Sequence, residues 1–180
     1  MRSFRTDAIV IKRRNIGESD KLITVLTKKF GKIQVKANGI RKITSRRSPH
    51  VEPLNLTLIS FYKGKGIPVL IEADVKNSFS NIKKDLKKVA YAYYVCELVD
   101  CLCPDGQETE HTFLLLEKAL GDIAYNEDVL SLIKKFELDL LNILGFVNIK
   151  NNNGDKDLSV LVEQIIERKL KTKQILPRLI

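Results

Sequence analysis

The spacing of apolar residues changes once along this chain, near residue 80, and that change limits the fold more than any other feature. Before it lie short alternating or β-branched stretches separated by turn residues: 6–14, 21–28, 31–38, 54–62 and 67–75. After it, apolar residues recur at helical spacing. Five strands with no helix between them fit a small closed barrel of the five-stranded Greek-key type, which binds oligonucleotides and oligosaccharides. The fold class expected is therefore α+β. A barrel over residues 1–79 is packed on a helical bundle over residues 80–180. No Gly/Ser or Pro-rich linker stands between them, so rigid packing is expected.

Within the barrel, Ala8-Ile9-Val10-Ile11 is a continuous apolar run, as expected for a strand covered on both faces. In the third strand Ile33, Val35 and Ala37 alternate with Gln34, Lys36 and Asn38. In the fifth, Val69, Ile71, Ala73 and Val75 are expected on the buried face, with Leu70, Glu72 and Asp74 opposite. Gly64-Lys65-Gly66 turns the fourth strand into the fifth. The connection from Gly39 to Pro53 is long, and long connections in compact domains are functional or mobile.

Charge separates the same two halves. The chain carries +9 overall, yet residues 1–80 hold 17 Lys/Arg against 6 Asp/Glu, a net +11. The remaining residues are slightly acidic. A cationic excess confined to the β module points to a polyanion partner. Lys12, Arg13, Arg14, Lys36, Arg41, Lys42, Arg46 and Arg47 are the candidate phosphate contacts. Rings that could stack on bases are few, namely Phe30, Phe61 and Tyr62, and the chain has no Trp. Binding should then be driven by charge, largely independent of sequence and sensitive to salt.

The helical half begins with a pattern over Ile82, Leu86, Val89, Ala90, Tyr93 and Cys96, running to about Leu102 before Pro104-Asp105-Gly106. A second helix is expected over residues 110–125, with Phe113, Leu116, Leu120 and Ile123 inward. Asn126 is the expected cap of a third, with a stripe of Val129, Ile133, Phe136, Leu140 and Leu144. Its apolar breadth suggests the centre of the bundle, and Gly145 should close it. A last helix is expected over 158–171.

Motifs for catalysis are missing. There is no phosphate-binding G-x-x-x-x-G-K-[ST], no G-x-G-x-x-G, no G-x-S-x-G and no H-E-x-x-H. His50 and His111 lack spaced partners and suit solvated surface roles. Among the acids, Asp20 with Glu18 could position Arg13 or Arg14. Cys96, Cys101 and Cys103 read as buried small hydrophobes, since their spacing supplies no zinc pair. A non-enzymatic binding protein without cofactor is expected. No apolar run approaches the roughly 20 residues of a membrane span, and the first residues lack a signal-peptide core. A cytoplasmic location follows as an expectation.

The ordered set T-D-A-I-V-I-K-R-R-N-I-G-E-S-D-K-L-I-T-V-L-T-K-K-F-G-K-I, N-G-I-R-K, V-E-P-L-N-L, F-Y-K-G-K-G and F-E-L-D-L-L-N-I-L-G-F resembles the RecO family of bacterial recombination mediators over residues 4–147. The resemblance implies an N-terminal OB-fold followed by a helical domain. It implies binding of single- and double-stranded DNA, annealing of complementary strands, and no enzymatic turnover. The implied partners are RecR, the C-terminal tail of the single-stranded DNA-binding protein SSB and, indirectly, RecA, at the nucleoid. The family's basic positions fall on Lys12, Arg13, Arg14, Lys36, Arg41 and Lys42, and Arg46 and Arg47 extend the patch. Many members carry a four-cysteine zinc module after the L-G-F segment. Here NIKNNNGDKD stands in that place and no C-x-x-C pair exists, so zinc is not expected. Two alternatives remain beside this reading. One is an adaptor whose helical half docks an acidic, apolar peptide such as the SSB tail near Lys83, Lys87 or Lys88. The other is an RNA-binding OB module.

Overall fold

The computed structural model describes residues 2–107, 110–147 and 158–175. The chain divides into two compact units, Met1–Phe79 with Pro104–Phe113, and Ser80–Cys103 with Leu114–Ile180.

The first unit is a closed barrel of five strands: β1 (Arg2–Ile16), β2 (Asp20–Thr27), β3 (Gly31–Ala37), β4 (Leu56–Lys63) and β5 (Val69–Asn77), in the order β1-β2-β3-β5-β4. All pairs are antiparallel except β3–β5, where Lys36 stands opposite Val69. This is the OB-fold. The long first strand closes it. Its N-terminal half pairs with β4 and its C-terminal half with β2, and Ala8 has partners on both sides, Thr57 and Thr27. Such sharing removes the exposed sheet edge. The apolar run Ala8–Ile11 is buried throughout. Ala8, Val10, Ile23, Val25, Val35, Ala37, Ile59, Phe61 and Leu70 fill the interior, joined by Ile40 and Val51 from the long connection.

The fifth strand departs from the expected alternation. Ser60 faces Glu72 but Phe61 faces Leu70, so Ile71 is an extra residue in a bulge. The bulge resets the side-chain period. Leu70 and Ala73 are buried and Ile71 is exposed. The rings also differ from expectation: Phe61 stacks on Phe4 at 5.6 Å, and Phe30 meets both edge-on at 5.2 and 5.6 Å. Phe30 and Phe61 thus pack on the core and are not platforms for bases.

Gly31 begins β3 with φ +64°, and a Cβ there would stand 1.8 Å from the Gln107 carbonyl oxygen. Only glycine fits so close an approach. Asp105 bridges to Lys32 beside it, with the Gly106 N–H donating to the Lys32 carbonyl at 2.8 Å and an ion pair at 3.3 Å.

The second unit holds most of five helices: α1 (Leu86–Leu102), α2 (Glu110–Tyr125), α3 (Val129–Ile143), α4 (Leu158–Ile165) and α5 (Lys171–Ile175). Residues Ile82–Lys84 form a 3-10 turn, not the first turn of α1. Asp85 breaks away in extended conformation and caps α1 through the N–H groups of Lys87 and Lys88. The helix buried on nearly all sides is α1, not α3. Ala92, Val95, Leu98 and Val99 are inaccessible, while Leu86 and Tyr93 from the expected stripe lie outside. In α2 the expected Phe113, Leu116, Leu120 and Ile123 are buried. Asp128, not Asn126, caps α3 by accepting the Ser131 N–H. Hydrogen bonding to Ser131 holds its carboxyl below the usual range. Gly145 closes α3 in left-handed conformation, with Phe146 N–H on Leu141 and Gly145 N–H on Asn142. The last helix is broken in two. Glu167 adopts φ +53°, Leu170 is buried, and α5 starts on the Glu97 carboxylate, which accepts the N–H groups of Lys171 and Thr172 at 2.9 Å. A buried Glu137 accepts from the Tyr94 hydroxyl at 2.5 Å, an arrangement no periodicity could reveal. No helix among the described residues is long and apolar enough to cross a membrane.

Candidate nucleic-acid interface

The connection from Gly39 to Asn55 is fastened to the barrel, and its fastenings decide which cations face outward. Ile40, Val51 and Leu54 are buried. The His50 ring accepts the Val75 N–H at 3.2 Å and its carbonyl accepts the Thr57 hydroxyl at 2.7 Å, so His50 is a structural residue and not a solvated one. Asn55 donates to the Pro49 carbonyl at 3.0 Å.

Asp20, at the start of β2, pins the near end. One oxygen accepts the Gly39 N–H at 2.8 Å and the Ser19 hydroxyl at 3.2 Å. The other pairs with the Lys36 ammonium at 3.1 Å. The Gly39 N–H, and after it Lys36, hold the carboxyl below its ordinary value. Arg41 then lies along the β1–β2 turn. Its N–H donates to Ser19 at 2.9 Å and its guanidinium to Gly17 at 3.2 Å. Two successive turns follow, closed by Lys42 N–H to Gly39 (3.2 Å) and Ser45 N–H to Lys42 (2.8 Å). The result is an open cleft of about 610 Å³ whose lining includes Ser19, Asp20, Lys42, Ser45, Arg46 and Arg47.

The eight predicted cations fall into two groups. Arg13, Arg47 and Lys36 are engaged in holding the barrel. Arg13 makes a two-pronged contact with Glu52 at 2.5 and 2.6 Å, tying β1 to the long connection. Neither Glu18 nor Asp20 positions it. Arg47 donates to the carbonyls of Asn38 (2.8 Å), Leu70 (2.9 Å) and Ile71 (3.4 Å), satisfying the backbone that the β5 bulge leaves open. Lys12, Arg14, Arg41, Lys42 and Arg46 are exposed, Arg41 while resting its guanidinium on the Gly17 carbonyl. The structure brings Arg41, Lys42 and Arg46 together on one segment.

Two further sets of cations belong here. Lys21, half-buried beside this segment, has its pKa lowered by burial first and then by Arg13. Lys63 and Lys65 are exposed around the β4–β5 connection, which meets β3 where the Lys36 N–H donates to Pro68 at 2.7 Å. The connections after β1 and β4 are those by which OB-folds hold ligands. Lys21 was hidden because it opens a strand among β-branched residues, and Lys65 because it sits in a plain turn.

Among the described residues no group of three or more His, Cys, Asp or Glu is placed to hold a metal ion. The segment NIKNNNGDKD, on which the expected loss of the zinc module rests, lies outside the described residues. Cys96 and Cys103 are buried and Cys101 receives the Arg168 guanidinium at 2.7 Å. Burial pushes the Cys96 thiol up to about 12, which keeps it protonated.

Comparison with known proteins agrees with this arrangement. The profile of the recombination protein O N-terminal region matches residues 1–79, and that of its C-terminal region matches residues 83–147. The DNA repair protein RecO of Symbiobacterium thermophilum is 34% identical over 149 residues, covering 81% of this chain and 58% of that protein. RecO of Geobacter metallireducens is 34% identical over 146 residues, covering 81% and 60%. RecO of Clostridium kluyveri is 36% identical over 151 residues, covering 79% and 56%. The chain therefore spans less than two thirds of the length of these relatives. With both regions matched in order on an OB barrel and a helical unit, the chain belongs to the RecO family of DNA repair proteins.

Proposed function

We propose that this chain is a recombination mediator. It binds single- and double-stranded DNA, anneals complementary strands and, with RecR, helps load RecA on SSB-coated DNA. The observation that carries this reading is the gathering of Arg41, Lys42 and Arg46, all exposed, at one side of an OB barrel beside Lys21 and the β1–β2 turn. Arg14 and Lys12, on β1, are exposed as well. Cations of this kind fix phosphates and carry no base code. Annealing then needs no bond chemistry. Neutralising phosphates on two strands lowers their mutual repulsion and raises their local concentration, and base pairing selects the product. The reading includes no turnover and places the protein in the cytoplasm, at the nucleoid.

The contacts with RecR, RecA and the SSB tail rest on the family. In the helical unit a small groove is lined by Leu115, Ile123 and Phe136, with Lys118 and Lys135 at its rim. Asp122 and Asp139 line it too. Its charges cancel, so nothing there selects an acidic peptide by field alone. An annealing assay with complementary oligonucleotides tests the main reading. Acceleration by the protein, lost on raising salt, is expected. Acceleration absent at low salt would contradict it, and tighter binding to structured RNA than to single-stranded DNA would favour an RNA partner.

A further inference from the structure

Ile43 is the most exposed large hydrophobic residue among those described, at 105% of its reference area. It stands at the first corner of the turn Lys42–Ser45. Turn corners favour Pro, Gly, Asn, Asp and Ser, each for a backbone reason that a β-branched apolar residue does not supply. The turn is held in place. Ile40 is buried on one side of it, and on the other Arg47 donates to three carbonyls. The fold thus presents Ile43 outward and gives its side chain no cover.

The surroundings define what would cover it. Arg41, Lys42 and Arg46 are exposed within three residues of it. A suitable occupant offers anionic oxygens to the cations and an apolar face to Ile43, within one residue's reach. An unpaired nucleic-acid strand has this composition, because its bases project from the phosphate backbone. A duplex hides its base faces in the stack. Phe30 and Phe61 are spent on the core, and the segment from Gly39 to Asn55 itself contains no Phe, Tyr or Trp.

We propose that Ile43 is an apolar wedge that packs on the bases of an unpaired strand while the flanking cations hold its phosphates. This rests on the nucleic-acid reading above and deepens it, since it makes the loop a device for telling single strands from duplex. Apolar wedges set among cations reach between the bases of a duplex only at the cost of unstacking them, a cost that an already unpaired strand does not carry.

Two variants test it. In I43S, affinity for single-stranded oligonucleotide should fall about 5–10-fold, on the scale of losing contact with one base. Blunt duplex affinity should stay within about twofold, and the salt slope should not change. I43W adds the chain's sole tryptophan, and its emission should be quenched by oligo-dT but not by polyphosphate of equal charge. Because the site is exposed, both variants should keep the wild-type unfolding midpoint. The wedge is overturned if I43S weakens single strand and duplex alike, or neither. It is also overturned if I43W responds equally to polyphosphate, or responds only to an acidic apolar peptide. Wild-type protein that binds no single strand at low salt removes this inference and the DNA-binding reading together. Normal wild-type binding with an indifferent residue 43 removes only the wedge.

Discussion

The barrel wall and the connection from Gly39 to Asn55 solve the same backbone problem differently. In the wall, strands satisfy one another, and alternate side chains fill the interior. In the connection, much of the fastening falls to side chains: Arg47 on three carbonyls, Asp20 on Gly39, Asn55 on Pro49 and His50 on Val75. The contrast divides the cations. Those engaged as fasteners, Arg13 and Arg47, stabilise the shape of the patch. The exposed ones, Arg41, Lys42 and Arg46, are those proposed to meet a polyanion. A count of positive charge cannot separate the two, whereas mutation can.

The sharpest separation comes from reversing Arg41, Lys42 and Arg46 to Glu together. Affinity for single-stranded DNA near 0.1 M salt should drop by about two to three orders of magnitude. Stability should fall by less than about 1 kcal/mol, because none of the three side chains is buried and the Arg41 bond to Gly17 is exposed. Anisotropy and chemical unfolding on the same preparation check both halves.

On the wall side, Gly31→Ala should destabilise the barrel by about 3 kcal/mol or more. The residue is left-handed, and its new Cβ would overlap the Gln107 carbonyl. Urea denaturation measures this, and a loss under about 1 kcal/mol would show that the Gln107 segment yields.

Arg47→Ala should cost about 1–2 kcal/mol of stability, since part-exposed charged hydrogen bonds to three carbonyls are lost. DNA affinity should fall only a few-fold at most. A larger effect on binding than on stability would move Arg47 from fastener to contact and blur the contrast.

Asp20→Asn is the smallest test. The amide keeps an acceptor for Gly39 but removes a negative charge beside Lys36, so DNA binding should tighten about two- to threefold at low salt. It should also lower stability at neutral pH. The wild-type carboxyl is depressed below its ordinary 3.8 in the folded state. Its contribution is therefore complete above that value and lost as pH falls through the depressed one. The gap in unfolding midpoint between wild type and D20N should accordingly close as pH drops below about 4.

The strand pattern and the charge asymmetry were readable from sequence because both are carried by residue type and spacing. Ala8–Ile11, the alternation over Val35 and Ala37, and Gly145 behave as their chemistry suggests. The β5 alternation failed because a bulge leaves no mark in composition: Ile71 and Leu70 are both apolar, and only pairing decides which is buried. The cap of α3 failed because Asn126 and Asp128 are both good caps, and the choice depends on where the helix axis starts. Five of the eight candidate cations are exposed, while Arg13, Arg47 and Lys36 are part-buried on partners far along the chain, at Glu52, Leu70 and Asp20. Those partnerships belong to tertiary structure, as does the half-burial of Lys21.

The most direct test of the central claim is a salt titration of single-stranded DNA binding, comparing wild type with a variant carrying Ala at positions 41, 42 and 46. Each neutralised phosphate on a single strand contributes roughly 0.7 to the log–log slope. The wild-type slope should have a magnitude of about 3 or more, and the variant's should be lower by about 2. Equal slopes in the two proteins, or wild-type binding indifferent to salt, would contradict the assignment of this face to the DNA backbone.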